Sequence, residues 1–178
     1  MKTYQDWLKV ADKSEKERMD FVFTAITDYK NSDLYKYALT AQSYYDGKNE
    51  VIEKAKKVVY DAMNNAIPDL LSANHKVADN FFKRDVVQAT STLLSNGLTW
   101  ANKQGGKTLG KSFDRQISKL HRYAQIAGVS WAFFNKDHVD IFKAKEFFGS
   151  KDEEDGMVKL GIRFWQLSST KPMRAVLY

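Results

Sequence analysis

The segment Gly105-Gly106-Lys107-Thr108-Leu109-Gly110-Lys111-Ser112 satisfies G-x-x-x-x-G-K-[ST], the pattern of a phosphate-binding loop. Its chemistry is well defined. Gly105 and Gly110 let backbone amides point at phosphates, Lys111 neutralises charge, and Ser112 ligates magnesium. Such a loop needs a buried strand directly before it, within an alternating parallel sheet. Here the preceding residues are Leu98-Thr99-Trp100-Ala101-Asn102-Lys103-Gln104, which are too polar for that strand. The segment therefore reads as a Gly- and Lys-rich loop that matches by composition, with nucleotide binding as an alternative.

Lys111, Arg115, Lys119 and Arg122 recur at i, i+4, i+8 and i+11, so a helix would place them on one side. That ridge could follow a phosphate backbone, which makes a basic nucleic-acid-binding module a further alternative. The plainer reading is a solvated helix face. His75, His121 and His138 are scattered and build no metal-ligand spacing. The acidic run Asp152-Glu153-Glu154-Asp155 fails the calcium-loop template. Lys151 stands at its first ligand position and Ile162 at its last, so the run reads as a solvated hairpin tip. There is no G-x-S-x-G elbow. No constellation argues for catalysis, so the expectation is a non-enzyme with no cofactor and no metal.

The elements that would carry these residues fall into two parts, helices over 1–128 and antiparallel strands over 129–178. Ser14-Glu15-Lys16-Glu17 is a capping box, followed by Met19, Val22, Phe23 and Ile26 at helical spacing. Ser32 caps a second helix with the stripe Leu34, Tyr37, Ala38, Ala41, Tyr44 and Tyr45, ended by Gly47. Val51, Ile52, Ala55, Val58, Val59, Ala62 and Met63 predict a third, with Glu50–Lys54 and Glu53–Lys57 pairs on its polar face. A fourth runs from about His75 to Ser95, with Ala78, Phe82, Val86, Ala89 and Leu93 inward, stopped by Asn96-Gly97. The fifth starts near Ser112, carries Phe113, Ile117, Leu120, Ala124 and Ala127, and ends at Gly128.

After Gly128 the period becomes two. Val129, Trp131 and Phe133 alternate with Ser130 and Ala132; Asn135 to His138 turns; Val139 to Phe142 returns. Val158, Leu160, Ile162 and Phe164 form another strand with Lys159, Gly161, Arg163 and Trp165 on its polar face, and Arg174 to Tyr178 begins a last one. The expected fold class is α+β: about five helices, then one antiparallel sheet of about four strands. Trp131, Phe133, Phe134, Phe142, Phe147, Phe148, Phe164 and Trp165 are more apolar bulk than such a sheet hides alone, so helices, further chain or a neighbouring subunit must cover them. A chain that stops inside a strand reads as a lobe whose natural protein continues.

Composition bounds the rest. The chain has 178 residues, 43% of them hydrophobic and 28% charged, which suits one folded domain and not a disordered chain. It has no cysteine, which excludes disulfides and thiolate chemistry and fits a cytosolic origin. No apolar run approaches the roughly 20 residues of a membrane span. Against 22 acids, 28 Lys and Arg give +6, a mild basicity compatible with a polyanionic neighbour.

The order of motifs resembles the N-terminal wing region of the portal proteins of tailed bacteriophages of the SPP1-like family. Tyr44-Tyr45-Asp46-Gly47 is similar to that family's early helix end. Asn74 with Ala78-Asp79-Asn80-Phe81-Phe82 resembles the entry to its long helix, and Leu93-Leu94-Ser95-Asn96-Gly97 the exit. Ala127-Gly128-Val129-Ser130-Trp131, Gly161-Ile162-Arg163-Phe164-Trp165 and Arg174-Ala175-Val176-Leu177-Tyr178 resemble strands of the wing. The departures are Asn96-Gly97-Leu98, where the family more commonly has Gly-Lys-Pro, and the unmatched loop from Gly105 to Lys111. The family's stem helices, clip and crown would lie beyond Tyr178. The resemblance implies a structural, non-enzymatic subunit of a ring, usually of twelve copies, at one vertex of the phage head. Its implied partners are neighbouring copies, terminase, head–tail connector and capsid proteins, with double-stranded DNA passing through the channel and no membrane. The implied location is the virion, assembled in the host bacterial cytoplasm.

Overall fold

The computed structural model describes residues 2–69, 79–101, 109, 112–152 and 154–178. Six helices are formed among them: α1 (Tyr4–Leu8), α2 (Glu15–Asn31), α3 (Asp33–Tyr45), α4 (Glu50–Lys54), α5 (Phe81–Leu94) and α6 (Phe113–Ala127). Seven strands accompany them: β1 (Val58–Tyr60), β2 (Ala66–Pro68), β3 (Ser130–Asn135), β4 (His138–Lys143), β5 (Phe147–Lys151), β6 (Val158–Trp165) and β7 (Arg174–Leu177). The class is mixed α and β, as the periodicity indicates, but the expected single four-stranded sheet is replaced by three small antiparallel ones: β1–β2, β3–β4 and β5–β6–β7. Helices and strands also interleave, because β1–β2 falls between α4 and α5.

That interruption corrects the third helix, expected from Val51 to Met63. The helix stops at Ala55, whose ψ of 125° is extended. Val58, Val59 and Tyr60 are β-branched or aromatic and favour a pleated backbone. Asp61 then makes an Asx-type turn: its Oδ1 accepts the amides of Met63 and Asn65, each at 2.8 Å, and Asn64 takes a φ of 63°. The Glu50–Lys54 pair forms inside α4, while Lys57, outside the helix, pairs with Asp69 at 3.7 Å. A short α1, closed by a Thr3–Asp6 capping box, was not expected.

Several helix ends agree with their signals, but α5, expected from about His75, begins at Phe81 with Asn80 as its N-cap. Ser14 and Glu17 close the predicted capping box of α2. The Ser32 hydroxyl accepts the Tyr35 amide at the start of α3. Gly128 ends α6 with a φ of 76°, a left-handed conformation that a side chain would strain. Facing is less well predicted. In α2 the buried residues are Phe21, Ala25, Ile26 and Tyr29, while Met19 and Phe23 are exposed. In α3, Leu34, Tyr37 and Tyr44 are exposed and Ala38 is buried. In α5 the inward residues are Phe82, Val86, Thr90 and Leu94 rather than Ala89 and Leu93; Ala78 lies outside the described residues. A polar Thr90 is tolerated inside because its hydroxyl donates to the Val86 carbonyl at 2.7 Å.

The main core joins both parts of the chain. Phe21, Ala25, Ile26 and Tyr29 of α2 pack on Phe148, Leu160, Ile162 and Phe164 of the three-stranded sheet. Each fully buried aliphatic or aromatic side chain there contributes about 1.5–3 kcal/mol. The Tyr29 hydroxyl, deep in this layer, donates to the Ala144 carbonyl at 2.5 Å. The β3–β4 hairpin covers the other sheet face. Phe142 stacks on Phe147 at 4.8 Å, Trp131 lies 5.5 Å from Phe147, and Phe133 lies 4.8 Å from Tyr178. Gly149 and Gly161 are direct cross-strand partners beneath these rings. A Cβ on Gly149 would stand 2.7 Å from the Trp131 ring, and one on Gly161 only 2.5 Å from Phe147 Cζ. The glycine pair is a notch for the aromatics. Against the hairpin lies α6, which also contacts α3 and α5.

Candidate functional site

The residues singled out for chemistry come to different fates. Gly105, Gly110 and Lys111 lie outside the described residues. Ser112 is the N-cap of α6, and its side chain makes no capping hydrogen bond. Leu98 to Ala101 form no strand, and the element before them is α5. The structural setting of a phosphate-binding loop, a strand leading straight into it, is therefore not built at these residues.

Of the basic ridge, Arg115 and Lys119 are exposed and Arg122 is half-buried. The physical reason lies one turn along: Ile126, the buried residue of α6, sits on the same side as Arg122. This end of the helix is gripped by Ala38 and Gln42 of α3 together with Lys143 and Ala144 at the end of β4. The free part of the ridge thus shrinks to the first turns of the helix. Arg122 Nε is buried without a hydrogen-bond partner among the described residues. Lys143 lies 4.8 Å above the Tyr123 ring.

His121 is half-buried between α5 and α6. Its Nδ1 lies 3.1 Å from Thr90 Oγ1 and its Nε2 lies 3.4 Å from Gln125 Nε2. His121 thereby links α6 to α5. Among the described residues no group of three or more His, Asp or Glu could hold a metal ion.

The acidic hairpin tip is more built than a solvated loop. Asp152 is buried at 4% exposure, and its carboxylate takes the Lys159 ammonium at 2.5 Å. Lys159 also reaches Asp155 at 2.9 Å. Hydrogen bonds from this ammonium hold both carboxyls below the usual carboxylate range and push the Lys159 pKa up. The clamp ties Asp152 and Asp155 to β6, Glu154 is exposed, and Glu153 lies outside the described residues.

At the opposite end of the same sheet the sign reverses. The Arg163 guanidinium lies 4.9 Å from the Phe142 ring and 5.1 Å from Trp165, with Nε buried and unpartnered among the described residues. Arg174 is the direct cross-strand partner of Trp165, so the two share a face. Lys30 Nζ stands 5.4 Å above Phe164 and 3.7 Å from the Met173 sulfur. Lys30 and Lys145 line a pocket of about 220 Å³ with Tyr35, Phe164, Trp165 and Met173. Sequence reading missed this cluster, although the alternation Lys159, Gly161, Arg163, Trp165 placed Arg163 and Trp165 on one face.

Two apolar grooves are open among the described residues. A groove of about 500 Å³ runs between α2 and β7, lined by Trp7, Met19, Val22, Phe23, Met173 and Leu177. A second, also about 500 Å³, lies between α5 and α6, lined by Leu93, Leu94, Ile117, Leu120, Ala124 and Val129. Of the aromatics that needed cover, Phe142, Phe147, Phe148 and Phe164 are buried, while Phe133 and Phe134 keep 37% and 46% of their surface exposed.

The residues quoted for the portal resemblance meet at two joints. The Asn80 side-chain amide donates to the Tyr45 carbonyl at 2.9 Å, and Phe82 meets Tyr45 edge-on at 6.5 Å. Tyr178 and Gly161 exchange backbone hydrogen bonds at 2.8 and 2.9 Å, extending the β6–β7 ladder. No helix among the described residues is long and apolar enough to cross a membrane. No protein-family model matches the chain, and no curated protein is significantly similar to it.

Proposed function

We propose that this chain is a structural, ring-forming subunit of the phage-portal type, a wing-like lobe that packs against copies of itself at the vertex through which DNA enters and leaves a capsid. The observation that carries the reading is the ordered motif series from Tyr44 to Tyr178, whose members pair in space: the early helix end with the entry to α5, and the last two strand motifs with each other. The open apolar flank of α2 and β7 adds support, since exposed Met19, Phe23 and Leu177 suit a face that neighbouring polypeptide covers. In this role α6 and the β3–β4 hairpin are scaffolding, and the chemistry is assembly. Terminase, connector and capsid proteins are the partners that follow from it, and the virion is the location.

The test is the assembly state of the full-length gene product. Sedimentation and electron microscopy are expected to show closed rings. A monodisperse monomer at micromolar concentration and low salt overturns the reading.

A further inference from the structure

We propose that the open edge of β7 docks an extended peptide of a partner polypeptide, apolar at alternate positions and carrying a carboxylate between them, which adds a strand to the β5–β6–β7 sheet beside α2. Such docking goes beyond the ring reading and does not depend on it, since it needs one subunit and one strand.

The register of the sheet shows which backbone groups are open. Tyr178 and Gly161 exchange both of their backbone hydrogen bonds, and the Val176–Arg163 and Arg174–Trp165 pairs fall in the same phase. In an antiparallel ladder the residues between such pairs turn their N–H and C=O groups the other way. The Phe164 amide fits that phase, since it donates to Glu146, just before β5, at 2.9 Å. Ala175 and Leu177 therefore point their backbone groups out of the sheet, about 7 Å apart. No backbone partner meets them among the described residues. The opposite edge differs: Phe147, Phe148 and Ser150 of β5 are buried, whereas all four residues of β7 are exposed. A helix or a small apolar molecule cannot satisfy two such pairs of groups at strand spacing, and an extended peptide can.

Side chains set what that peptide carries. Ala175 and Leu177 share the face of their cross-strand partners Phe164 and Ile162, the face packed by α2. Beside them α2 presents Met19, Val22 and Phe23 to the groove of about 500 Å³, and Met19 and Phe23 keep 65% and 63% of their surface exposed. With Ile26 these residues are the i, i+3, i+4, i+7 stripe that the sequence marks for burial. A strand added to β7 brings alternate side chains against that stripe, so apolar ones fit there. On the other face stands Arg174, exposed and without an ion-pair partner among the described residues. An acid on the added strand beside Arg174 supplies the missing charge.

Amide hydrogen exchange on the 178-residue chain tests this. The probe is a capped synthetic peptide of alternating valine and threonine in which one threonine is replaced by glutamate. On adding it, the Ala175 and Leu177 amides should slow by roughly tenfold or more, while those of Val176 and Tyr178, already bonded to β6, keep their rates. Ala175→Pro removes an outward donor and leaves the β6–β7 bonds in place, so melting should match the parent while peptide affinity falls roughly tenfold. Phe23→Ser, at an exposed position of the groove, should weaken binding likewise. Arg174→Glu should shift the preference to a peptide with lysine in place of the glutamate. No protection at millimolar peptide, or protection that ignores the alternation along β7, overturns the added strand. Protection of Ala175 and Leu177 that rises with the chain's own concentration, without peptide, makes the occupant a second copy and overturns the partner peptide. Pairing with the peptide in a chain that forms no ring leaves the docking standing and sinks the ring reading alone. A ring whose β7 pairs with no peptide does the reverse.

Discussion

Two hairpins of this chain start from similar material and end differently. The β1–β2 pair contains Val58, Val59, Tyr60 and Ile67, yet every one of its strand residues is exposed. The β5–β6 pair contains Phe148, Leu160, Ile162 and Phe164, all buried. Both are antiparallel, so backbone pairing does not separate them. The difference is cover: β5–β6 has α2 on one face and β3–β4 on the other. Apolar side chains make a strand possible, and a second layer makes it stable.

That contrast can be broken most severely at Ile162. At 1% exposure it lies at the centre of the α2–sheet core, and Ile162→Ala should cost about 2–5 kcal/mol. The matched Ile67→Ala, at 46% exposure, should stay within about 0.5 kcal/mol. Urea unfolding of both variants measures the gap. Equal costs would mean that β1–β2 is covered in solution. Gly161→Ala comes next. Its Cβ would press on Phe147, and overpacking of this kind costs about 1–3 kcal/mol. Trimming the ring in the double variant Gly161→Ala/Phe147→Leu should recover part of that loss. No recovery would move the cause from the ring to the backbone.

The same contrast explains what could be read in advance. Caps and stops were legible because they are local: Ser14 with Glu17, Ser32, and Gly128 act within a few residues. Of the strands after Gly128, β3, β4, β6 and β7 were legible, β6 most plainly because alternation over Val158 to Trp165 is unambiguous. Val51 to Met63 was not, since its stripe fits a helix while Asp61 and Asn64 favour a turn, and the turn prevailed. Facing failed for Met19, Phe23, Ala89 and Leu93 because which side of a helix is covered depends on distant partners. The strand β5 was hidden for a different reason: Gly149 has poor strand propensity, and its value appears only under Trp131. The Lys159 clamp and the Arg163 stack likewise join residues whose meeting depends on register.

Titration sharpens the comparison at a smaller scale, starting with Tyr29. Burial pushes its pKa up to about 12, with its neighbour Tyr35 adding to the effect. A phenol whose folded pKa exceeds the unfolded value of about 10 binds its proton more tightly when folded. Its contribution is full below about pH 10 and is lost as pH rises through the folded value. Tyr29→Phe should lower stability by about 1 kcal/mol at neutral pH, because the Ala144 carbonyl loses its donor. It should also flatten the fall in melting temperature above pH 10. A steep alkaline fall that persists would assign that fall to other groups.

His138, at the exposed turn of β3–β4, makes the opposite case and the smallest effect. Its Nδ1 meets Asp137 at 2.6 Å, and that hydrogen bond, with the charges of Asp137 and Asp140, raises the imidazole pKa. The sign follows as for Tyr29. The stabilisation is present below the unfolded value near 6.5 and disappears as pH rises through the folded one. The pair stands in water, where screening leaves exposed ion pairs little net worth. His138→Gln should therefore remove a shallow slope in melting temperature across neutral pH and change nothing else. A slope as steep as that of Tyr29 would mean that the hairpin tip is covered, and would point to a neighbouring molecule seated on β3–β4. A change in that slope with protein concentration would identify the neighbour as a second copy.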